Sequence, residues 1–352
     1  MRKNGDRQTA KMPSCSPLEQ PIPNVGFPAL KPVNHVLPPS FTVTPSPSQW
    51  IPAEPSVDSI CSEWSRPLDA LAAADVPALI IRKAWSPEKC VALVQKMVDA
   101  ELLYDPHLPI PDKFIQASIP EGYFREGNNG EASQAWEAEV IKSRARRRID
   151  IGTSLGYRGS NQEEFFAHSE QTVTTFSDLF ADGDSPIEVL YNGLTALSVD
   201  KQAVTAYEPD GRRYGPAIIR AHYGGYTYAP HFDSVRLREK RENYQVYHFD
   251  HQFAGVLVLQ NTHLGDQSAQ CVLHRCLWEP DVDPWLKKRR FSEYAAEQHI
   301  ENVEVVLEPG DLYFFNTRCI HEVPGVAGDL PRIVLATFIG YSSDREEIFV
   351  WS

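Results

Sequence analysis

An α+β fold with a jelly-roll core is what the sequence predicts. Helical patterns occupy the earlier part of the chain, the longest at 161–180 and 185–197. From Ala217 onward come short apolar runs, each set off by turn residues. Helices first and many short strands afterwards is the α+β order, and strands of this length suit a jelly roll. No internal repeat is evident.

Taken in order, residues 1–75 are proline-rich, with Pro38-Pro39 and Pro45-Ser46-Pro47-Ser48. Such a stretch buries too little apolar surface to offset its ordering entropy, so it is expected to be extended or disordered. Trp50 and Trp64 within it suit either a docking role or a loosely draped tail. Order is expected from Val76. Ala78-Leu79-Ile80-Ile81 reads as a strand. Ser86-Pro87-Glu88 opens a helix, with an N-cap serine, proline at the first helical position and an acid in the first turn. Cys90, Val94, Met97 and Val98 give that helix its buried face. Leu108 to Ala135 is rich in Pro, Gly and Asn and reads as a loop region. Arg144, Arg146, Arg147 and Arg148 read as a solvated helix end or as contacts to the acidic surface. Ile149 to Gly156 reads as a strand, and Asp184-Ser185-Pro186 opens the second long helix. The late strands are expected at 217–220, 253–259, 271–278, 303–307, 312–315 and 333–338, with Glu308-Pro309-Gly310-Asp311 the clearest turn. One domain then spans 76–352, helical over 76–215 with its core over 216–352.

Composition narrows the function. The chain has 352 residues, is 42% hydrophobic and carries a net charge of −13. That charge argues against nucleic acid and against anionic membrane surfaces as partners. No apolar run approaches the ~20 residues of a membrane span. The six cysteines show neither C-x-x-C spacing nor a dense framework, which fits free thiols in a reducing compartment. No apolar segment follows Arg2, Lys3, Arg7 and Lys11, so no secretory signal is expected; a cytoplasmic location is, with organelle targeting the alternative.

The chemistry concentrates in Arg220 to Asp233. His231-Phe232-Asp233 sets an imidazole and a carboxylate two positions apart, on one side of a strand. His321, after the strand Leu312-Tyr313-Phe314-Phe315, supplies a second imidazole. Two histidines and one carboxylate form the facial triad of non-haem iron(II) oxygenases, which leaves positions for a cosubstrate and O2. A second tripeptide, His248-Phe249-Asp250, is identical, but it directly precedes an apolar strand and reads as a polar strand entry. His251 and His263 read as surface residues. Arg332 enters an apolar strand eleven residues past His321. A buried guanidinium needs an anion, and it pairs bidentately with a carboxylate such as the distal one of 2-oxoglutarate. Tyr223, Tyr226 and Tyr228 lead to His231, with Tyr223 the candidate cosubstrate contact and aromatic packing the alternative. Gln260 and Asn316 touch cosubstrate or satisfy backbone groups. Trp278 walls a pocket or packs in the core. Cys319 carries no catalytic role.

The H-x-D motif, distal histidine and late arginine resemble those of the Fe(II)/2-oxoglutarate dioxygenases. Gly224 to Asp233 resembles the prolyl-hydroxylase-like branch. Pro216 to Arg220, Pro309 to Asn316, Pro331-Arg332 and Phe349-Val350-Trp351-Ser352 resemble the carrier-independent halogenases of hapalindole-type alkaloid pathways. That resemblance runs from about Arg148 to Ser352. It implies a double-stranded β-helix acting on a free small molecule, with Fe(II) and 2-oxoglutarate as cofactors. Those halogenases carry glycine where this chain has Asp233, so the resemblance implies hydroxylation here, with succinate and CO2 released. Desaturation, epoxidation, cyclisation and peptidyl hydroxylation use the same cofactors and stay open. So does a non-catalytic cupin-like binding module.

Overall fold

A computed structural model of the protein describes residues 50–115, 145–181, 183 and 185–352. Its strands, in chain order, are β1 (Ala78–Ile81), β2 (Arg148–Ile151), β3 (Gln202–Thr205), β4 (Ile218–His222), β5 (Tyr228–His231) and β6 (His251–Gln260). Then come β7 (His263–Leu264), β8 (Gln267–Ser268), β9 (Cys271–Leu277), β10 (Asn302–Val305), β11 (Leu312–Asn316), β12 (Cys319–Val323), β13 (Arg332–Tyr341) and β14 (Glu347–Trp351). The large sheet runs β1-β11-β6-β13, and β13 pairs with both β4 and β14. β2 extends β4 and β3 extends β14. The small sheet runs β10-β9-β12-β5. Both sheets line one internal cavity, so the architecture is the expected α+β double-stranded β-helix.

Alternation along each central strand explains why these runs look apolar throughout. On β6, Phe253, Leu257 and Leu259 face an outer core, while Ala254, Val256 and Val258 face the space between the sheets. β11 sends Leu312 and Phe314 outward, and Tyr313 and Phe315 inward. On β13, Ile333, Leu335 and Ile339 point outward and Val334 and Ala336 inward. A strand covered on both faces loses the polar beat of a half-exposed one. The outer layer is built by the helices Pro87–Asp99 and Pro186–Ser198, whose Cys90, Leu93, Met97, Leu190, Leu194 and Leu197 are buried there. Ser86 caps the first of these as expected, its side chain accepting from the Lys89 N–H at 3.2 Å.

Order begins earlier than the sequence suggests. Trp50 is 1% exposed and its indole N–H donates to the Ala74 carbonyl at 2.9 Å. Ala53 bridges to β1, giving a bond to the Ala78 carbonyl and taking one from the Ile80 N–H, each at 2.9 Å. Two helices follow, Val57–Glu63 and Pro67–Ala73. Ser56 caps the first through the Ser59 N–H, and Pro67 stands in the first turn of the second. Proline content masked these short helices, because their prolines sit at the ends, where a missing N–H costs nothing. The rest of the expected extended segment, 1–49, lies outside the described residues.

Other differences are local. The expected solvated helix end at Arg146 to Arg148 is instead the entry to β2. There Arg148 is buried and pairs with Asp150 two residues on, at 3.0 and 2.8 Å. Arg144 and most of the 108–135 loop lie outside the described residues. β3, β12 and β14 have no counterpart among the expected strands, and β12 hides because His321 and Glu322 interrupt its apolar pattern. Among the described residues, no helix is long and apolar enough to cross a membrane.

Trp50→Ala should lower unfolding stability by about 3–5 kcal/mol, the usual cost of emptying a buried tryptophan site. Urea denaturation checks this, and a loss below about 1 kcal/mol would put Trp50 outside the folded unit.

Candidate metal centre and its cavity

β4 turns into β5 through Gly224 and Gly225, whose φ values of +56° and +75° suit glycine. The turn is crowded as well as left-handed. A Cβ on Gly224 would stand 3.2 Å from the Arg147 guanidinium carbon. β5 then pairs antiparallel with β12 in the register that sets His231 directly opposite His321. Their rings lie 4.2 Å apart between centroids. The Nδ1 of His231 is 2.7 Å from the Ala229 carbonyl, and that of His321 is 2.9 Å from the Cys319 carbonyl. Each carbonyl fixes the proton on Nδ1 and leaves the Nε2 lone pair free, as a metal-binding imidazole requires.

Asp233 lies just past the end of β5. Its N–H donates to the Thr317 carbonyl at 2.9 Å, and the Thr317 hydroxyl donates to its carbonyl at 2.8 Å. Pinned this way, its Oδ2 stands 3.7 Å from His231 Nε2 and 3.9 Å from His321 Nε2. Arg238 takes the other oxygen, Oδ1, at 3.2 Å, and also donates to the Phe232 carbonyl at 2.7 Å. One ligand atom from each of the three residues lies within 4.8 Å of the others. Three converging donors of types N, N and O fit a first-row divalent ion such as iron(II).

Burial pushes the His231 imidazole down to about 3, with His321 adding to the shift and Asp233 opposing it. Burial also lowers His321, against the pull of Asp233. Both rings are therefore neutral at physiological pH, the state in which they bind a cation.

The cavity inside the barrel is narrow, about 80 Å³, and is bordered by the triad, Val256, Tyr313, Val334, Phe338 and Arg332. Arg332 is 5% exposed, and among the described residues no carboxylate pairs with it. The Tyr313 hydroxyl lies beside it. In register with Arg332 on β4 is His222, held well below its usual pKa by burial and then by Arg148, Arg332 and Arg220. Its Nε2 is 3.0 Å from the Tyr228 hydroxyl. Arg220 lines the same wall, and its Nε is buried with no hydrogen bond among the described residues. A buried guanidinium facing an apolar channel without a counter-ion suits the distal carboxylate of 2-oxoglutarate.

Three expected cosubstrate contacts sit elsewhere. The Tyr223 hydroxyl donates to the Tyr104 carbonyl at 2.9 Å and its ring stacks on Tyr104 at 4.0 Å, in the outer core. Gln260 donates to the Pro331 carbonyl at 2.9 Å. Asn316 donates to the Leu71 and Ala72 carbonyls at 3.2 and 3.1 Å. Each serves a backbone group, and none lines the cavity; Tyr228 is the tyrosine of that segment that does. His248 ends a 3-10 turn, and Asp250 stands exposed, 3.7 Å from Arg236, so the second H-x-D belongs to no metal cluster among the described residues. Trp278 stacks on Phe232, with ring centroids 4.3 Å apart. Burial pushes the Cys319 thiol up to about 12, so it is a neutral packing group. Sequence reasoning missed Arg220, His222, Arg238 and Tyr313. Pairing with Arg332 and Val334 marks His222 and Arg220, and pairing with Val256 marks Tyr313, while nothing in the sequence marks Arg238.

A double-stranded β-helix enclosing two histidines and a carboxylate defines an iron(II)- and 2-oxoglutarate-dependent oxygenase. Within that class, the chain belongs to the carrier-protein-independent halogenase family WelO5, whose model matches residues 129–352. Among solved structures, it is similar to an N-substituted L-amino acid dioxygenase from Burkholderia ambifaria AMMD in complex with α-ketoglutarate. Identity is 15% over 82% of this chain and 91% of that one, with a TM-score of 0.46. The α-ketoglutarate-dependent epimerase SnoN from nogalamycin biosynthesis is 10% identical over 82% and 86%, with a TM-score of 0.35. EctD from S. alaskensis is 14% identical over 80% and 78%, with a TM-score of 0.37. No curated protein matches the chain in sequence.

The buried imidazoles predict acid sensitivity. In the unfolded chain they take up protons near pH 6.5. In the fold His222, His231 and His321 do so only at lower pH, His231 at about 3. Their contribution is present above pH 6.5 and is lost as pH falls. If all three act, metal-free protein should lose up to about 4 kcal/mol per pH unit from about one unit below that point. Denaturation midpoints at pH 7, 6 and 5 check this; a flat profile would mean that the folded protein accepts those protons.

Proposed function

We propose that the protein hydroxylates an unactivated C–H bond of a free small molecule in secondary metabolism, consuming O2 and 2-oxoglutarate and releasing succinate and CO2. One observation carries the reading. The Asp233 carboxylate faces both imidazoles, so the protein fills the metal position that glycine would leave to a halide.

When bound, iron(II) with 2-oxoglutarate and O2 supplies the oxidising chemistry. The chain does the positioning. His231, His321 and Asp233 would hold the ion through three converging donors, with its remaining positions open to the cosubstrate and O2. Ala229 and Cys319 hold the two imidazoles to the backbone, while Thr317 fixes the Asp233 main chain and Arg238 its carboxylate. Arg332, beside Tyr313, holds the distal carboxylate and so fixes the direction in which the cosubstrate lies. Val256, Val334 and Phe338 keep the channel apolar and exclude water from the reacting atoms.

Asp233→Ala should reduce substrate-dependent succinate formation at least a hundredfold; full activity would remove Asp233 from the centre. The matched Asp233→Gly variant, assayed in excess chloride, should divert part of its product to the chlorinated form, read by mass spectrometry. Arg332→Gln should weaken 2-oxoglutarate on the order of 10- to 100-fold, the worth of a charge-assisted pair. The dependence of turnover on 2-oxoglutarate concentration reads this, and an unchanged KM would place the cosubstrate elsewhere.

A further inference from the structure

We propose that the substrate is an anionic small molecule with a flat apolar body, held in the cleft outside His231. This deepens the oxygenase reading above and rests on it. The barrel interior is slender, and Arg332 already claims it for a dicarboxylate. A second space begins on the other side of His231. It is a cleft of about 640 Å³, well within the ~300–1,000 Å³ of small-molecule sites. His231 borders both spaces and Arg238, which holds Asp233, borders the cleft, so the cleft adjoins residues of the metal centre.

The lining gives the cleft its chemistry. Phe232 and Trp278 stack nearly parallel, at 15° between planes, and form an aromatic wall. That wall suits a flat apolar body. The helices Asp283–Lys287 and Phe291–Glu297 pack Leu286 and Tyr294 against the apolar cluster that contains Phe232. Around it the charge is one-sided. Arg238, Lys240, Lys287 and Arg289 line the cleft, with Asp283 as the acid that lines the cleft away from the metal centre. Arg238 is engaged by Asp233, and Lys287 by Asp283 at 3.2 Å. Lys240 and Arg289 are exposed and have no carboxylate within ion-pair distance among the described residues. Four cations around one cleft stand out on a chain whose net charge is −13. Such a cleft concentrates an anion and repels a cation.

Both free cations also sit at left-handed backbone positions, φ +52° for Lys240 and +58° for Arg289. Glycine would adopt these more cheaply, so backbone geometry does not explain the lysine and the arginine.

The test uses three probes with one ring system and different charge: indole-3-acetate, its methyl ester, and tryptamine. Binding to the full chain, loaded with Mn(II) and 2-oxoglutarate, is read by calorimetry. Indole-3-acetate should bind at least tenfold tighter than the ester, and tryptamine weakest. The Lys240→Gln/Arg289→Gln double variant, which removes both charges and keeps polar side chains, should lose that tenfold preference and still bind 2-oxoglutarate as wild type does. Equal binding of the three probes, or a preference that survives in the variant, overturns the inference and leaves the oxygenase reading standing. Failure of wild type to bind 2-oxoglutarate at all overturns both.

Discussion

The register of β5 against β12 is the constraint on which the site depends. It sets His231 opposite His321, residues ninety positions apart in the chain, at a distance one ion can bridge. A one-residue slip would turn one imidazole to the opposite face. The Gly224-Gly225 turn starts β5, and Thr317 fixes Asp233 where the strand ends. The metal centre is thus a property of the backbone ladder, with the side chains supplying only the donors.

Strand parity divides the labour of the large sheet in the same way. Odd positions of β6 and β13 bury leucine, isoleucine and phenylalanine under the helices, and the even positions Ala254, Val256, Val334 and Ala336 face the channel. Arg332 is even, like Val334 and Ala336, so the rule that fills the core also carries one guanidinium inside. Burial without a paired acid is costly, and it leaves the guanidinium ready for an anion.

Much of this was legible in the sequence. Spacing and the Gly-Gly turn separate His231-Phe232-Asp233 from its duplicate at 248–250, and Arg332 announces itself as a charge entering an apolar strand. Tyr223, Gln260 and Asn316 were not separable by the same means. A polar group on a core strand can face the channel or a neighbouring carbonyl, and only the register decides which. The helices at 57–63 and 67–73 were hidden by prolines that cap rather than break them. Arg238 was invisible because its role depends on a single π-helical turn, Val235–Glu239, that folds it back onto Asp233.

That fold-back has an electronic consequence. A carboxylate that gives one oxygen to a guanidinium offers a metal only its other oxygen, in monodentate fashion. It also shares its negative charge and is the weaker donor for doing so. An ion held there keeps more of its own positive charge, which favours its reduced state and raises its reduction potential.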